Sequence, residues 1–153
     1  MANVSPQLRT ALNSEETGEL DAIIQEGRQS DLDELRQLVS DDPGIDPMHR
    51  ARAIYALGRW GEEASVPRII SVLPHLDEGE TVTAVDALGR LGTPEAIEKA
   101  TRLAEHESPH IRKFVVKALG RSSSPEAREK LSEIEANDPA EFVRNLARER
   151  MSR

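Results

Sequence analysis

Three copies of the triplet Ala-Leu-Gly occur in this sequence, at residues 56–58, 87–89 and 118–120, and each follows the last by 31 residues. One further step back reaches Gly27-Arg28, which matches the Gly-Arg pair that closes the other three segments. Self-similarity at a fixed period of about 20 to 50 residues is typical of solenoids, whose units bury their apolar faces against their neighbours. The period therefore predicts a stack of similar units.

The apolar residues of each unit follow the spacing of two amphipathic helices. Ala53, Ile54 and Leu57 show the i, i+1, i+4 pattern of one buried helix face, and the next two units repeat it. An oxygen-bearing residue and a proline, as in Thr93-Pro94 and Ser124-Pro125, are typical of the start of a second helix. Each unit is therefore predicted to be a helical hairpin.

The glycines of the triplets predict where the first helices end. Gly58, Gly89 and Gly120 each follow the last apolar residue of the pattern. A helix C-terminus favours a residue that can adopt a positive φ angle. We expect these three glycines to take that conformation.

Helix-start signals separate the units, and one of them overlaps a possible metal motif. The signals are Asp46-Pro47, Asp77-Glu78, Ser108-Pro109 and Asp138-Pro139. Residues 106–110 read His-Glu-Ser-Pro-His, which matches the H-E-x-x-H pattern of zinc proteases. Proline between the two histidines interrupts the helix that the motif needs. We therefore expect a repeat boundary here and no catalytic, metal or cofactor site.

The repeated segments resemble the HEAT repeats, particularly the short HEAT-like repeats also found in phycobilin lyases. Their motif runs approximately V-R-x-x-A-a-x-A-L-G, and Ile111 to Gly120 follow it closely. His49 to Gly58 keep Arg50, whereas Glu80 to Gly89 have Thr81 in place of the arginine. The resemblance implies an all-α fold, a right-handed α-solenoid of about four to five stacked hairpins with a 31-residue period.

The length of 153 residues predicts one domain with a single core. Its predicted parts are an N-terminal segment or cap helix (1–16), repeats at 17–45, 46–76, 77–107 and 108–137, and a C-terminal cap helix (138–153).

The composition of the sequence excludes several kinds of functional site and a membrane-spanning helix. The absence of cysteine excludes disulfides, thiolate metal sites and cysteine nucleophiles. The sequence contains no apolar run of about 18 residues and no secretory signal pattern, so we expect a soluble cytoplasmic protein.

Charge is distributed unevenly along the chain, whose net charge is −8. Residues 1–45 carry 10 acids and 3 bases, residues 46–107 carry 11 and 7, and residues 108–153 carry 7 and 10. An acidic start and a basic end make a dipole that can steer association.

Two groups of residues are candidates for partner binding. In repeats of the type resembled, the second helices line the concave face. Arg68, Lys99 and Lys130 occupy one row of that face, and Ser71, Arg102 and Glu133 occupy the next. This is either a solvated face of mixed charge or a surface for an acidic segment or phosphate. Tyr55 and Phe114 replace polar residues of the other units, either as lone surface aromatics or as parts of a contact patch.

A ladder of arginines, Arg28, Arg59, Arg90 and Arg121, follows the first helix of each unit. One interpretation is that each guanidinium donates to terminal helix carbonyls. The alternative is a strip that binds phosphate or an acidic partner.

Three functions remain open. The first is a non-enzymatic scaffold or adaptor that binds another protein on the concave face. The second is nucleic-acid binding through the basic C-terminal third, with Arg112, Lys113, Lys117, Arg144, Arg148 and Arg150. The third, suggested only by the family resemblance, is a bilin lyase or its accessory subunit.

Overall fold

The computed structural model describes residues 4–152, which are α-helical and contain no β-strand. Residues 1–3 and 153, included in the predicted terminal segments, lie outside the described part. The helices of this part are α1 (Pro6–Asn13), α2 (Gly18–Glu26), α3 (Gln29–Leu38), α4 (Pro47–Trp60), α5 (Val66–Val72), α6 (Glu78–Leu91), α7 (Pro94–Arg102), α8 (Pro109–Gly120), α9 (Pro125–Asn137) and α10 (Glu141–Met151).

The helices stack in two rows, which confirms the predicted α-solenoid. The first-helix row runs α4, α6, α8 and α10, each packed on the next, and the second-helix row places α7 between α5 and α9. Short 3₁₀ turns, Leu73–His75 and Leu103–Glu105, extend α5 and α7. At the N-terminal end, α1, α2 and α3 pack against α4. None of the described helices is long and apolar enough to cross a membrane.

Side-chain caps begin the first helices where the sequence predicts them. The side chains of Asp46, Asp77 and Ser108 accept hydrogen bonds from backbone N–H groups at the starts of α4, α6 and α8. These three starts are confirmed. The start predicted at Asp138-Pro139 is wrong, because Asp138 caps the C-terminal end of α9 and the next helix, α10, begins at Glu141.

The His-Glu-Ser-Pro-His segment is a helix boundary, as predicted. His106 follows the 3₁₀ turn after α7, and Pro109 is the first residue of α8. The backbone N–H of Ser108 donates to Nδ1 of His106 over 3.0 Å. Within residues 4–152, no group of three or more His, Asp and Glu residues is placed to hold a metal ion.

The triplet glycines differ from the prediction, because none of them has a positive φ: Gly58 and Gly89 lie inside α4 and α6, and only Gly120 is the last residue of its helix, α8. The described glycines with positive φ are Gly27, Gly61 and Gly92. A Cβ built on Gly89 would lie 2.7 Å from the Cα of Ala118 in the next helix. A Cβ on Gly58 would meet Ala87 in the same way, 2.9 Å from its Cα. These two glycines let neighbouring first helices touch backbone to backbone.

Buried arginines link successive units through ion pairs. Arg112 on α8 reaches Asp138, with Nε–Oδ2 at 2.8 Å and Nη2–Oδ1 at 3.2 Å, and also donates to the carbonyl oxygens of His106 and Glu107. Arg50 on α4 makes the equivalent two-pronged contact with Glu80 on α6. The hydrogen bond and charge of Glu80 raise the pKa of Arg50 above its ordinary value. The arginine of the repeated motif is therefore a structural link between units.

Candidate partner-binding site

The predicted second-helix face comprises Arg68 on α5, Lys99 and Arg102 on α7, and Lys130 on α9. Arg68 is exposed, and its Nη1 donates to the carbonyl oxygen of Arg36 over 2.7 Å, which ties α5 to α3. The exposed Arg102 pairs with Glu98 one turn earlier on its own helix, at 2.8 Å. Both cations already have a partner within the chain.

Lys130 and Lys99 differ in how far their charges are compensated. Nζ of Lys130 lies 2.9 Å from Glu133 and 3.3 Å from Glu105. The hydrogen bond to Glu133, supported by the one to Glu105, raises the pKa of Lys130 above its ordinary value. Lys99 is half-buried and has no ion-pair partner among the described residues. The charges of Arg102 and Lys130 are thus compensated by carboxylates, whereas Lys99 and Arg68 have no carboxylate partner among the described residues.

Tyr55 and Phe114 lie on the other row of helices. The hydroxyl of Tyr55 on α4 donates to Oδ1 of Asp21 over 3.1 Å, and the ring packs against the core. Phe114 on α8 meets the ring of His110 edge to face at 5.3 Å and has the Lys117 ammonium 4.8 Å from its centroid. The six predicted residues therefore divide between the two rows and do not form one continuous surface.

An open groove of about 770 Å³ lies at the C-terminal ends of α4, α6 and α8. We call it the arginine groove, because it contains three of the four arginines of the ladder. Its lining residues are Gly58, Arg59, Gly61, Gly89, Arg90, Gly92, Arg121, Ser122 and Ser123.

The arginines of the groove contact side chains rather than helix carbonyls. Nε of Arg90 lies 2.9 Å from Oδ2 of Asp86, and Nη2 of Arg121 lies 3.8 Å from the other oxygen of the same carboxylate. The guanidinium of Arg59 stacks over the ring of Tyr55 at 4.8 Å. The predicted capping of terminal carbonyls is therefore wrong for these arginines, because side-chain partners lie within reach, on the same helix for Arg59 and Arg90 and on the preceding first helix for Arg121.

Arg28, the first member of the ladder, lies outside the groove. Its partners are Glu26 at 3.0 Å and Asp31 at 3.0 Å. Gly27 has a positive φ of 66° and ends α2, whereas the glycines at the corresponding positions of the next two units, Gly58 and Gly89, lie inside longer helices. The groove consequently extends over three units and not four.

A profile of HEAT repeats matches residues 66–152, which is more than half of the chain. The chain belongs to the HEAT-repeat family. No curated protein matches it. Among solved structures, a chain in the complex of CpcE and CpcF of phycocyanin lyase from Nostoc sp. PCC7120 is similar in fold, with a TM-score of 0.74 and 17% identity. The match covers 95% of this chain and 96% of that chain, and at this identity it shows the fold alone.

In this HEAT-repeat chain, the residues predicted for nucleic-acid binding lie in several settings. Arg112 is buried in its ion pair, Arg144 donates to the carbonyl oxygen of Asp138, and Arg148 pairs with Glu135. The remaining three are Lys113 and Lys117 beside Phe114, and Arg150, whose side chain lies against Gly120. Nucleic-acid binding stays a prediction, with Arg112 removed from the surface that could carry it.

The repeat period identifies the arginines of these HEAT repeats but not the groove between them. One recurring feature of the sequence indicates it in retrospect. Gly61 and Gly92 are 31 residues apart and follow the Gly-Arg pairs by two residues, where the observed helix ends fall. Glycines at both positions leave the space beside each arginine free of side chains.

Proposed function

We propose that this HEAT-repeat chain is a non-enzymatic scaffold that binds another protein. The observation that carries the proposal is the regular placement of charged side chains on successive units, as with Arg68, Lys99 and Lys130 on α5, α7 and α9. Stacked repeats of this kind form extended binding surfaces. Buried contacts between units hold such side chains at fixed spacing, which reduces the entropy lost on binding.

Lys99 is the centre of the proposed contact on the second-helix face. An acidic partner gains most from a cation that has no carboxylate of its own, because no internal ion pair is broken on binding. Lys99 meets that condition, and Arg68 on the preceding second helix has a backbone carbonyl rather than a carboxylate as its hydrogen-bond acceptor. Lys130 contributes less, since Glu105 and Glu133 already neutralise it.

The first prediction concerns this face. The triple variant R68E/K99E/R102E should lose a partner that the wild-type chain retains in quantitative affinity purification, because three cations become anions on one surface. Helicity measured by circular dichroism should stay unchanged, since all three side chains lie outside the core.

The matched control is R9E/K113E/R148E, which changes the net charge equally on other surfaces. Equal loss from both variants would indicate a non-specific charge effect and count against the face. If the wild-type chain enriches no protein over the bare affinity resin, the scaffold proposal itself is refuted.

A role in bilin attachment is a second candidate, supported by the structural similarity to a chain of the phycocyanin lyase complex over nearly the full length of both chains. Titration of the purified chain with free bilin tests it. Binding would shift and sharpen the bilin absorption band, and an unchanged spectrum at saturating protein would eliminate this candidate.

A further inference from the structure

We infer that the arginine groove binds an extended acidic segment of another protein, with a carboxylate held between arginines of successive repeats. This inference rests on the proposed scaffold function and adds a binding site that the second-helix face does not include.

The chain itself shows that two arginines of adjoining units can share one carboxylate. The Asp86 side chain lies 2.9 Å from Arg90 on its own helix and 3.8 Å from Arg121, which follows the next first helix. Both oxygens of the carboxylate are used, one for each guanidinium. A carboxylate that arrives from another molecule can be held in the same way wherever the internal one is missing.

The internal carboxylate is missing one unit earlier. Tyr55 occupies the position on α4 that Asp86 occupies on α6, 31 residues later. Its ring lies beneath the Arg59 guanidinium but carries no charge that could neutralise it. Arg59 is exposed and has no ion-pair partner among the described residues. The gap between Arg59 and Arg90 therefore lacks the anion that Asp86 supplies between Arg90 and Arg121.

The lining of the groove suits a polypeptide better than a compact anion. Its floor contains four glycines and two serines, and none of the described lining residues is a large apolar side chain. The C-terminal ends of α4, α6 and α8 carry partial negative charge from their last carbonyls. That charge disfavours a concentrated dianion such as phosphate, whereas an extended segment brings backbone N–H donors together with single, well-separated carboxylates.

The spacing of the repeats sets the spacing of the acidic residues. Packed helices lie about 8 to 10 Å apart, and this distance separates the arginines of successive units along the groove. A segment in the extended polyproline-II conformation has three residues per turn and advances about 3.1 Å per residue, so residues i and i+3 lie on the same face about 9 Å apart and reach successive units. A segment with acidic residues at i and i+3 is therefore the best match to the groove.

Fluorescence anisotropy with the full chain and synthetic peptides tests the inference. The probe is a labelled peptide of three Glu-Ser-Thr units, and its control has Gln in place of each Glu. We expect the Glu peptide to bind at least about tenfold more tightly than the Gln peptide, because charge-assisted hydrogen bonds to the guanidinium groups are lost in the latter. Added salt should weaken the binding of the Glu peptide and leave the binding of the Gln peptide unchanged.

Two variants act in opposite directions on the same groove. The double variant R59E/R90E should weaken binding of the Glu peptide by about tenfold or more, since two donors become repulsive. D86N should tighten it by about threefold, because Arg90 and Arg121 lose their internal competitor and one repulsive charge disappears. A gain in affinity cannot result from misfolding. The double variant R9E/K113E is the matched control, because it changes the net charge equally on surfaces outside the groove, and it should leave the affinity unchanged.

Three results would overturn the inference: equal affinity for the Glu and Gln peptides, no tightening in D86N, or displacement of the Glu peptide by duplex DNA or inorganic phosphate at lower concentration than by unlabelled Glu peptide. If the Glu peptide does not bind but the wild-type chain still captures a partner protein, the inference about the groove is refuted and the scaffold function is not. If the wild-type chain captures no partner protein, the proposed scaffold function is refuted.

Discussion

Replacement of Gly89 by alanine should destabilise the protein by about 3 kcal/mol, the upper end of the usual range for overpacking. The new Cβ would lie 2.6 Å from the Cβ and 2.7 Å from the Cα of Ala118. Neither atom is the end of a flexible side chain, so α6 and α8 have to separate. Because solenoid units are stabilised mainly by contact with their neighbours, this separation weakens the middle of the stack. Urea denaturation followed by circular dichroism measures the change.

Gly79→Ala is the matched control, since Gly79 lies in the same helix and undergoes the same chemical change. A Cβ at this position meets only the Asp77 carboxylate, at an ordinary contact distance of 3.5 Å. Alanine favours helix over glycine by up to about 1 kcal/mol, so this variant should be as stable as the wild type or slightly more stable. If Gly89→Ala also stabilised the protein, the backbone contact between α6 and α8 would not be a constraint.

The period of the sequence predicts most of the fold, because every unit repeats the same local signals. The starts of α4, α6 and α8 follow directly from a capping side chain beside a proline or glutamate. The ends of the helices are less predictable. Glycine serves two purposes in this chain, a helix end at Gly61 and a close helix contact at Gly58, and one unit's sequence does not distinguish them. The distinction depends on the neighbouring helix.

The candidate sites are less predictable than the fold for a related reason. Residue type alone suggests Lys130 and Lys99 as equivalent cations, yet Glu105 and Glu133 neutralise the first and not the second. Likewise, the role of Arg59 depends on Tyr55 standing where the next unit has Asp86. Partners that lie on other elements or one turn away decide which charges remain available, and those contacts form only in the folded chain.

Replacement of Arg112 by methionine should cost about 3 to 5 kcal/mol of unfolding free energy, because it leaves the Asp138 carboxylate buried without its counter-ion. The Asp138 side chain is only 4% exposed. The carbonyl oxygens of His106 and Glu107 also lose their donor, and unpaired buried groups add to the cost. We therefore expect a marked drop in the urea midpoint, with the loss concentrated in the C-terminal units that Arg112 joins.

The exposed pair formed by Arg102 and Glu98 provides the control, because its side chains are 72% and 65% exposed. Arg102→Met should change the stability by less than about 1 kcal/mol, as solvent screens that interaction. The double variant Arg112→Met/Asp138→Asn separates charge from packing. In the wild type, the Asp138 side chain accepts a hydrogen bond from the N–H of Ala140. Asparagine keeps an oxygen that can accept this bond but carries no charge. The double variant should therefore be more stable than Arg112→Met alone. If it were less stable, the cost would lie in lost packing around the arginine, and the ion pair would not be the link between the last two units.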